Sequence, residues 1–244
     1  MRRQMHLNLF IHSRGHHEAA WRHPKATPRS VYDIRYYQGL AQKAEQGLFD
    51  SIFFADQLAL TDDIASGPRT GLEPITLLAA IAVSTQRIGL ISTASTTYSE
   101  PFNLARQFAS LDHLSNGRIG WNIVTSLLAT AAGNFGGSGP LAHAERYERG
   151  EEFMKVVKGL WDGWAKDAVL DDRESGRFAD TAHIRPINHD GQYYKVAGPL
   201  NLPRCPQGRP VLVQAGSSET GRDFAARHGE AIFTAQMEKT TAQD

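Results

Sequence analysis

A few short segments carry side chains that can do chemistry. Gly216-Ser217-Ser218 joins an apolar run, Pro210–Ala215, to an amphipathic stretch, Ser218–His228. Such a strand-to-helix turn presents free backbone N–H groups and the positive end of a helix dipole, and two hydroxyls add donors, so an anion fits there. The plainer reading, and the weightier one on spacing alone, is a serine that caps the helix. Asp56 directly follows the apolar run Ser51–Ala55. A carboxylate there can accept from a ligand N–H or cap the next turn. Thr93-Ala94-Ser95-Thr96-Thr97-Tyr98 is dense in hydroxyls where a strand should stop. It suits hydrogen bonding to a polar ring, and it equally suits ordinary β-branched strand residues. Asn122 and Thr125 sit at the end of a further apolar run.

Histidines crowd the segment after the first apolar run: His12, His16, His17 and His23, with Trp21 among them. A metal site is not supported by their spacing. There is no HExxH and no accompanying Cys or carboxylate set, so solvated loop histidines are the better reading. Gly133–Gly139 has no Lys-Ser/Thr after it and opens no helix, so it is a loop rather than a phosphate-binding P-loop. No GxGxxG follows a strand, and no GxSxG nucleophile elbow occurs. Spacing therefore gives an anion site with neither nucleophile nor metal, which fits an enzyme whose chemistry a cofactor carries.

The elements that must hold these residues alternate. Met5–Ile11, Ser51–Ala55, Ile88–Ala94, Arg118–Thr125, Pro210–Ala215 and Ala231–Ala235 read as strands. Asp33–Gln46, with Asp33 as N-cap, Glu73–Thr85, Pro101–Leu114, Arg146–Trp164 and Ser218–His228 read as helices. Asn116-Gly117 should stop the third helix, and Trp161 and Trp164 should be core. Strand–helix alternation of this kind implies parallel strands with crossover helices, and function then sits at the strands' C-terminal ends. Leu127–Leu141 reads as a loop, and Ala165–Gly208 as a polar excursion. The expectation is one domain, 1–244, of (β/α)8 barrel type. It holds about six βα units and a long insertion at about 127–208 after the fourth strand, too few for a closed barrel, which needs ~250 residues and eight strands.

The chain has 244 residues, with 26 basic and 26 acidic side chains and no net charge. Balanced charge argues against nucleic-acid binding driven by counterion release. No apolar run reaches the ~18 residues of a membrane span. The opening MRRQMHLNLFIHSRGHH has too short an apolar stretch for a signal peptide. A single cysteine, Cys205, excludes an internal disulfide. The default expectation is a soluble cytoplasmic protein.

A series of motifs, taken together, resembles one family. They are Trp21-Arg22-His23-Pro24, Phe53-Phe54-Ala55-Asp56, Ser95-Thr96-Thr97-Tyr98 with Pro101, and Phe108-Ala109-Ser110-Leu111-Asp112-His113-Leu114-Ser115. Gly117-Arg118, Gly120-Trp121-Asn122-Ile123-Val124-Thr125 and His143-Ala144-Glu145-Arg146-Tyr147 follow. Gly198-Pro199-Leu200-Asn201-Leu202-Pro203 and Gln214-Ala215-Gly216-Ser217-Ser218 complete the series. They run almost end to end. The resemblance is to the bacterial-luciferase-like FMN monooxygenases, in the subgroup of nitrilotriacetate monooxygenase component A, pristinamycin synthase and dibenzothiophene-sulfone monooxygenase.

That resemblance implies an FMN-binding barrel in a two-component system. A separate NAD(P)H:flavin reductase supplies reduced FMN, which agrees with the missing nucleotide fingerprint. The reduced flavin reacts with O2 to a C4a-(hydro)peroxide, which passes one oxygen atom to a small organic substrate. Carried over position by position, Asp56, Thr93 and Asn122 resemble flavin-ring contacts. His143 and Tyr147 resemble contacts to the ribityl chain or phosphate, and Ser217 and Ser218 resemble the phosphate cradle. His17 falls where related enzymes place a substrate-side residue, a position from which histidine can exchange a proton. The resemblance further implies a homo-oligomer.

Members of the subgroup are far longer, so the match covers about their first half, and the chain reads as C-terminally truncated. An open sheet edge after the sixth strand should make it poorly soluble or dimeric. The competing readings are a flavin-binding remnant without oxygenase activity and a deazaflavin-dependent oxidoreductase of the same superfamily. The Trp-Arg-His-Pro and Gly-Pro-Leu-Asn-Leu-Pro segments point to FMN rather than deazaflavin.

Overall fold

A computed structural model describes residues 5–68, 70–126 and 128–234. Six strands form one all-parallel sheet in the order β1-β2-β3-β4-β9-β10. They are β1 (Asn8–Phe10), β2 (Ser51–Phe54), β3 (Gly89–Ser95), β4 (Ile119–Val124), β9 (Val211–Gln214) and β10 (Ala231–Ile232). Between β4 and β9 the chain makes two small antiparallel pairs, β5 (Val169–Asp172) with β6 (Arg177–Ala179) and β7 (His189–Asp190) with β8 (Lys195–Val196). The helices are α1 (Ile34–Gln46), α2 (Pro74–Ala82), α3 (Pro101–Ser115), α4 (Ala129–Ala132), α5 (His143–Asp162) and α6 (Glu219–His228).

Sequential strand order in an all-parallel sheet is what βα units produce when each right-handed crossover lays the next strand beside the last. The sheet curls. Phe233, just after β10, lies 6.1 Å from Phe10 on β1 and 6.0 Å from Phe53 on β2, centroid to centroid. The two outermost strands thus approach across the concave face, giving an incomplete (β/α)8 barrel. Alternation sorts the side chains. Phe10, Phe53, Ile91, Gly120 and Val211 share one inward layer by register. Ile52, Leu90, Trp121 and Leu212 face the helices and are fully buried or nearly so. Trp121 packs on Phe108, Phe153 and Trp161, and its indole N–H donates to the Ala94 carbonyl at 3.1 Å. A buried tryptophan needs such a partner.

Local chemistry fixes the boundaries. The Asp33 carboxylate caps α1 by accepting from the Arg35 amide, and Glu73 caps α2 by accepting from the amides of Ile75 and Thr76. Asn116 closes α3 in the left-handed region, at φ 57°. Three expectations need correction. α5 starts at His143, not Arg146, because its first turn is polar and apolar periodicity is blind to it. The expected loop 127–141 contains the one-turn α4, whose Ala131 and Ala132 are buried. The sixth strand is shorter than expected: β10 covers Ala231–Ile232, and Ala235 lies outside the described residues, as does the MRRQ opening.

Candidate functional site

Because the sheet is parallel, all six strands point their C-terminal ends one way, and the following residues collect at one rim. Register aligns Thr93 on β3 with Asn122 on β4. Both continue the inward-facing series of Ile91 and Gly120, and both are buried. The Asn122 amide nitrogen donates to the Thr93 hydroxyl at 2.9 Å. The other end of that amide, Oδ1, is buried with no partner, and so is Oγ1 of Thr97 just beyond β3. Buried polar atoms are rarely left unmatched, so the rim here keeps an acceptor and a hydroxyl in reserve.

Asp56 lies two residues past β2. Its carboxylate accepts from the Gln57 amide at 2.8 Å and lines a cleft with Tyr37, Phe54 and Thr70. Burial is the main cause that raises its pKa above the usual carboxylate value; the nearby Glu73 charge adds to it, and the Gln57 bond opposes it.

The adjoining part of the rim, beside the ends of β4 and β9, is built from two helix starts. His143 and Tyr147 lie one turn apart on α5, their rings 5.0 Å between centroids. Ser218 is the N-cap of α6. Its hydroxyl accepts from the Gly221 amide at 3.1 Å and lies 3.5 Å from Nε2 of His143. The first amides of any helix lack intrahelical partners, so Glu219 and Thr220 offer N–H groups beside that hydroxyl. Two glycines make the approach possible. A Cβ on Gly216 would stand 2.8 Å from Cα of Gly221, and one on Gly221 would stand 2.8 Å from Oη of Tyr147. Ser217 is exposed between Gly216 and the cap.

The structure thus joins Thr93 to Asn122, and His143 and Tyr147 to Ser218, along one end of the sheet. His17 is not brought to either group. It sits on the exposed connection from β1 to α1, where its Nδ1 accepts from the Ala19 amide at 3.1 Å. Neighbouring His12 and His16 meet the Phe10 ring edge-on. Among the described residues no three His, Cys, Asp or Glu side chains converge as metal ligands would, and no helix is long and apolar enough to cross a membrane.

Sequence reasoning missed the role of Arg146, quoted only as part of the His143–Tyr147 motif: the residue is buried on the first turn of α5 and donates through Nη1 to the carbonyls of Thr125, at 2.7 Å, and Ser126, at 3.3 Å. It also missed Tyr194, far along the chain, whose hydroxyl donates to the Thr96 carbonyl at 3.3 Å and accepts from Arg149 at 2.7 Å. No local spacing marks either residue; only packing of the excursion on β3 and β4 reveals them.

Comparison with known proteins gives a consistent answer. Residues 7–243 match the family described as luciferase-like monooxygenase. The chain is 50% identical over 243 residues to N-acetyl-S-(2-succino)cysteine monooxygenase of Bacillus subtilis (strain 168), covering 100% of this chain and 55% of that protein. It is 47% identical to nitrilotriacetate monooxygenase component A of Aminobacter aminovorans, covering 96% and 54%. A solved structure of riboflavin lyase with modified FMN and riboflavin superposes with a TM-score of 0.91 at 38% identity, covering 98% of this chain and 56% of that one. The chain spans about half the length of the curated relatives it matches.

Proposed function

The chain belongs to the luciferase-like monooxygenase family, within the subgroup of nitrilotriacetate monooxygenase component A, and on that premise we propose that it is the flavin-holding part of an FMNH2-dependent, two-component monooxygenase. A separate NAD(P)H:flavin reductase delivers the reduced FMN, O2 is the co-substrate, and one oxygen atom enters a small organic substrate. The observation that carries this reading is the rim itself. At one end of the sheet, an unmatched buried amide oxygen on Asn122 of β4 lies on the strand next to β9, whose end leads into a helix start lined by hydroxyls and cleared by two glycines.

The residues fit FMN. Asn122 Oδ1 and the Asp56 carboxylate are acceptors suited to ring N–H groups, and the Thr93 and Thr97 hydroxyls complement ring carbonyls. Ser217, Ser218 and the open amides of α6 suit the phosphate, with His143 and Tyr147 closing over it. When bound, the flavin supplies the oxygen-transferring chemistry. The protein's share is to orient the ring on a rigid strand pair, keep water out and fix the phosphate at a distance set by α5 and α6. His17 is assigned to the substrate side, on the exposed connection from β1 to α1. The location proposed for this work is the cytoplasm.

The test is titration of the 244-residue chain with oxidised and, anaerobically, reduced FMN. Saturable one-to-one binding, weakened in Ser217→Ala and Asp56→Ala, is expected. Product formation with an added reductase then separates an active oxygenase from a flavin-binding remnant. A soluble chain that takes up neither form of FMN would overturn the proposal, and preferential uptake of deazaflavin would redirect it.

A further inference from the structure

Arg146 is 5% exposed, and its Nε has no partner. Guanidinium stays charged in proteins, and burying a charge without a counter-ion is costly. The comparison within this chain is Arg118. That side chain, also partly buried, donates five hydrogen bonds, to the Ser115, Ile88, Ala82 and Thr85 carbonyls and the Thr85 hydroxyl, and so staples the base of β3 and β4. Arg35 and Arg227 are paired with Asp33 and Glu151. Arg146 has neither solution: two carbonyl bonds from one nitrogen, no ion pair among the described residues, and a buried Nε that donates to nothing.

Its place explains more. Arg146 sits one residue before Tyr147 and three after His143, and it grips the Thr125 and Ser126 carbonyls just past Asn122 on β4. One turn on, Gly150 lets α5 close on Thr125, Thr96 and Phe224. We infer that Arg146 is a positioning residue of the flavin site. It locks the loop after β4 to the first turn of α5, and its uncompensated charge biases the site toward the reduced flavin, which carries more negative charge than the oxidised form. The inference rests on the flavin reading above. A charge held in a partly desolvated site is screened far less than one at the surface, and the expected effect is a binding ratio altered about tenfold.

Two measurements on Arg146→Met and Arg146→Lys test it. The first needs no flavin: hydrogen exchange of the unliganded chain. In Arg146→Met, amides of residues 122–128 and 143–150 should exchange faster while those of α1 and α2 do not change; unchanged local protection would overturn the positioning role. The second is the ratio of oxidised to reduced FMN dissociation constants. It should fall about tenfold in Arg146→Met, equal to a potential drop of ~30 mV for a two-electron couple, and stay near wild type in Arg146→Lys. Equal loss of both forms would overturn the electrostatic part. If wild type binds no FMN, the flavin reading and the electrostatic part fall with it, while the exchange result still decides the positioning.

Discussion

At the scale of single residues, the rim trades stability for recognition. Asn122 and Thr93 form one hydrogen bond inside the barrel face, yet the amide keeps an unmatched oxygen. Replacing both partners of a buried hydrogen bond by apolar groups of similar shape is near neutral, whereas leaving one partner unmatched costs ~1–3 kcal/mol. The double variant Thr93→Val/Asn122→Leu should therefore melt at or above the wild-type temperature while FMN affinity falls at least tenfold. Thr93→Val alone should melt lower, because it also strands the amide donor. Parallel melting scans and flavin titrations check both, and a double variant that melts well below the single one would refute the argument. Asp56 gives a pH signature. Its folded pKa is raised, chiefly by burial, so the native state holds a proton that the unfolded chain has already lost. That contribution is fully present below the ordinary aspartate value of ~3.9 and is lost as pH rises through the higher folded value. Wild type and Asp56→Asn should melt with a constant offset below that range. The wild type should then fall progressively behind the variant as pH rises through it. Differential melting across pH 3 to 8, on the order of half-unit steps, reads this directly, and Asp112, also raised by burial, cancels in the difference.

At the scale of elements, two adjacent serines should behave differently because one belongs to a helix and the other does not. Ser218 caps α6, so Ser218→Ala removes about 1 kcal/mol of stability together with phosphate affinity. Ser217 is exposed, so Ser217→Ala should leave the melting temperature unchanged and weaken FMN but not riboflavin. Equal effects of Ser217→Ala on the two flavins would remove it from the phosphate cradle. Elements of this kind were legible in the sequence wherever one local signal sufficed: Asp33 before α1, Asn116-Gly117 after α3, and the apolar runs of β2 to β4. The start of α5 was not, because His143-Ala144-Glu145 carries no apolar stripe and its burial comes from Arg146 meeting the β4 loop. The same holds for the site. Strand-end position picks out Asp56, Thr93, Asn122 and Ser218, and motif resemblance adds His143 and Tyr147. Nothing local indicates that Oδ1 of Asn122 stays unmatched or that Tyr147 needs Gly221, since both depend on segments about 30 and 74 residues apart in a folded parallel sheet.

At the scale of the molecule, the described residues leave the sheet with two edges, and they are not alike. Among the described residues β1 pairs only with β2, and β10 only with β9. Ile232 and Phe233 at the β10 edge are 54% and 42% exposed, and the concave face beside them is lined by Phe10, Phe53, Ile91 and Val213. An exposed apolar edge is a template for further strand pairing. Because every strand is parallel, pairing β10 of one copy with β1 of the next preserves strand direction. It is therefore a heterologous contact, and such contacts close only if the rotation returns to its start. The expected outcome is association that grows with concentration instead of stopping at a dimer. Ile232→Lys puts a charge on that edge, and edge lysines are a common block to pairing. The variant should sediment as monomer at concentrations where the wild type does not, with unchanged FMN affinity, since no site residue lies on β10. Sedimentation velocity over a hundredfold concentration range, on the order of the span needed to see such an equilibrium, decides it. A wild-type chain that remains a single monomeric species throughout, with one cooperative melt, would mean that the curled face buries its own edge and that Phe233 against Phe10 closes the sheet well enough alone.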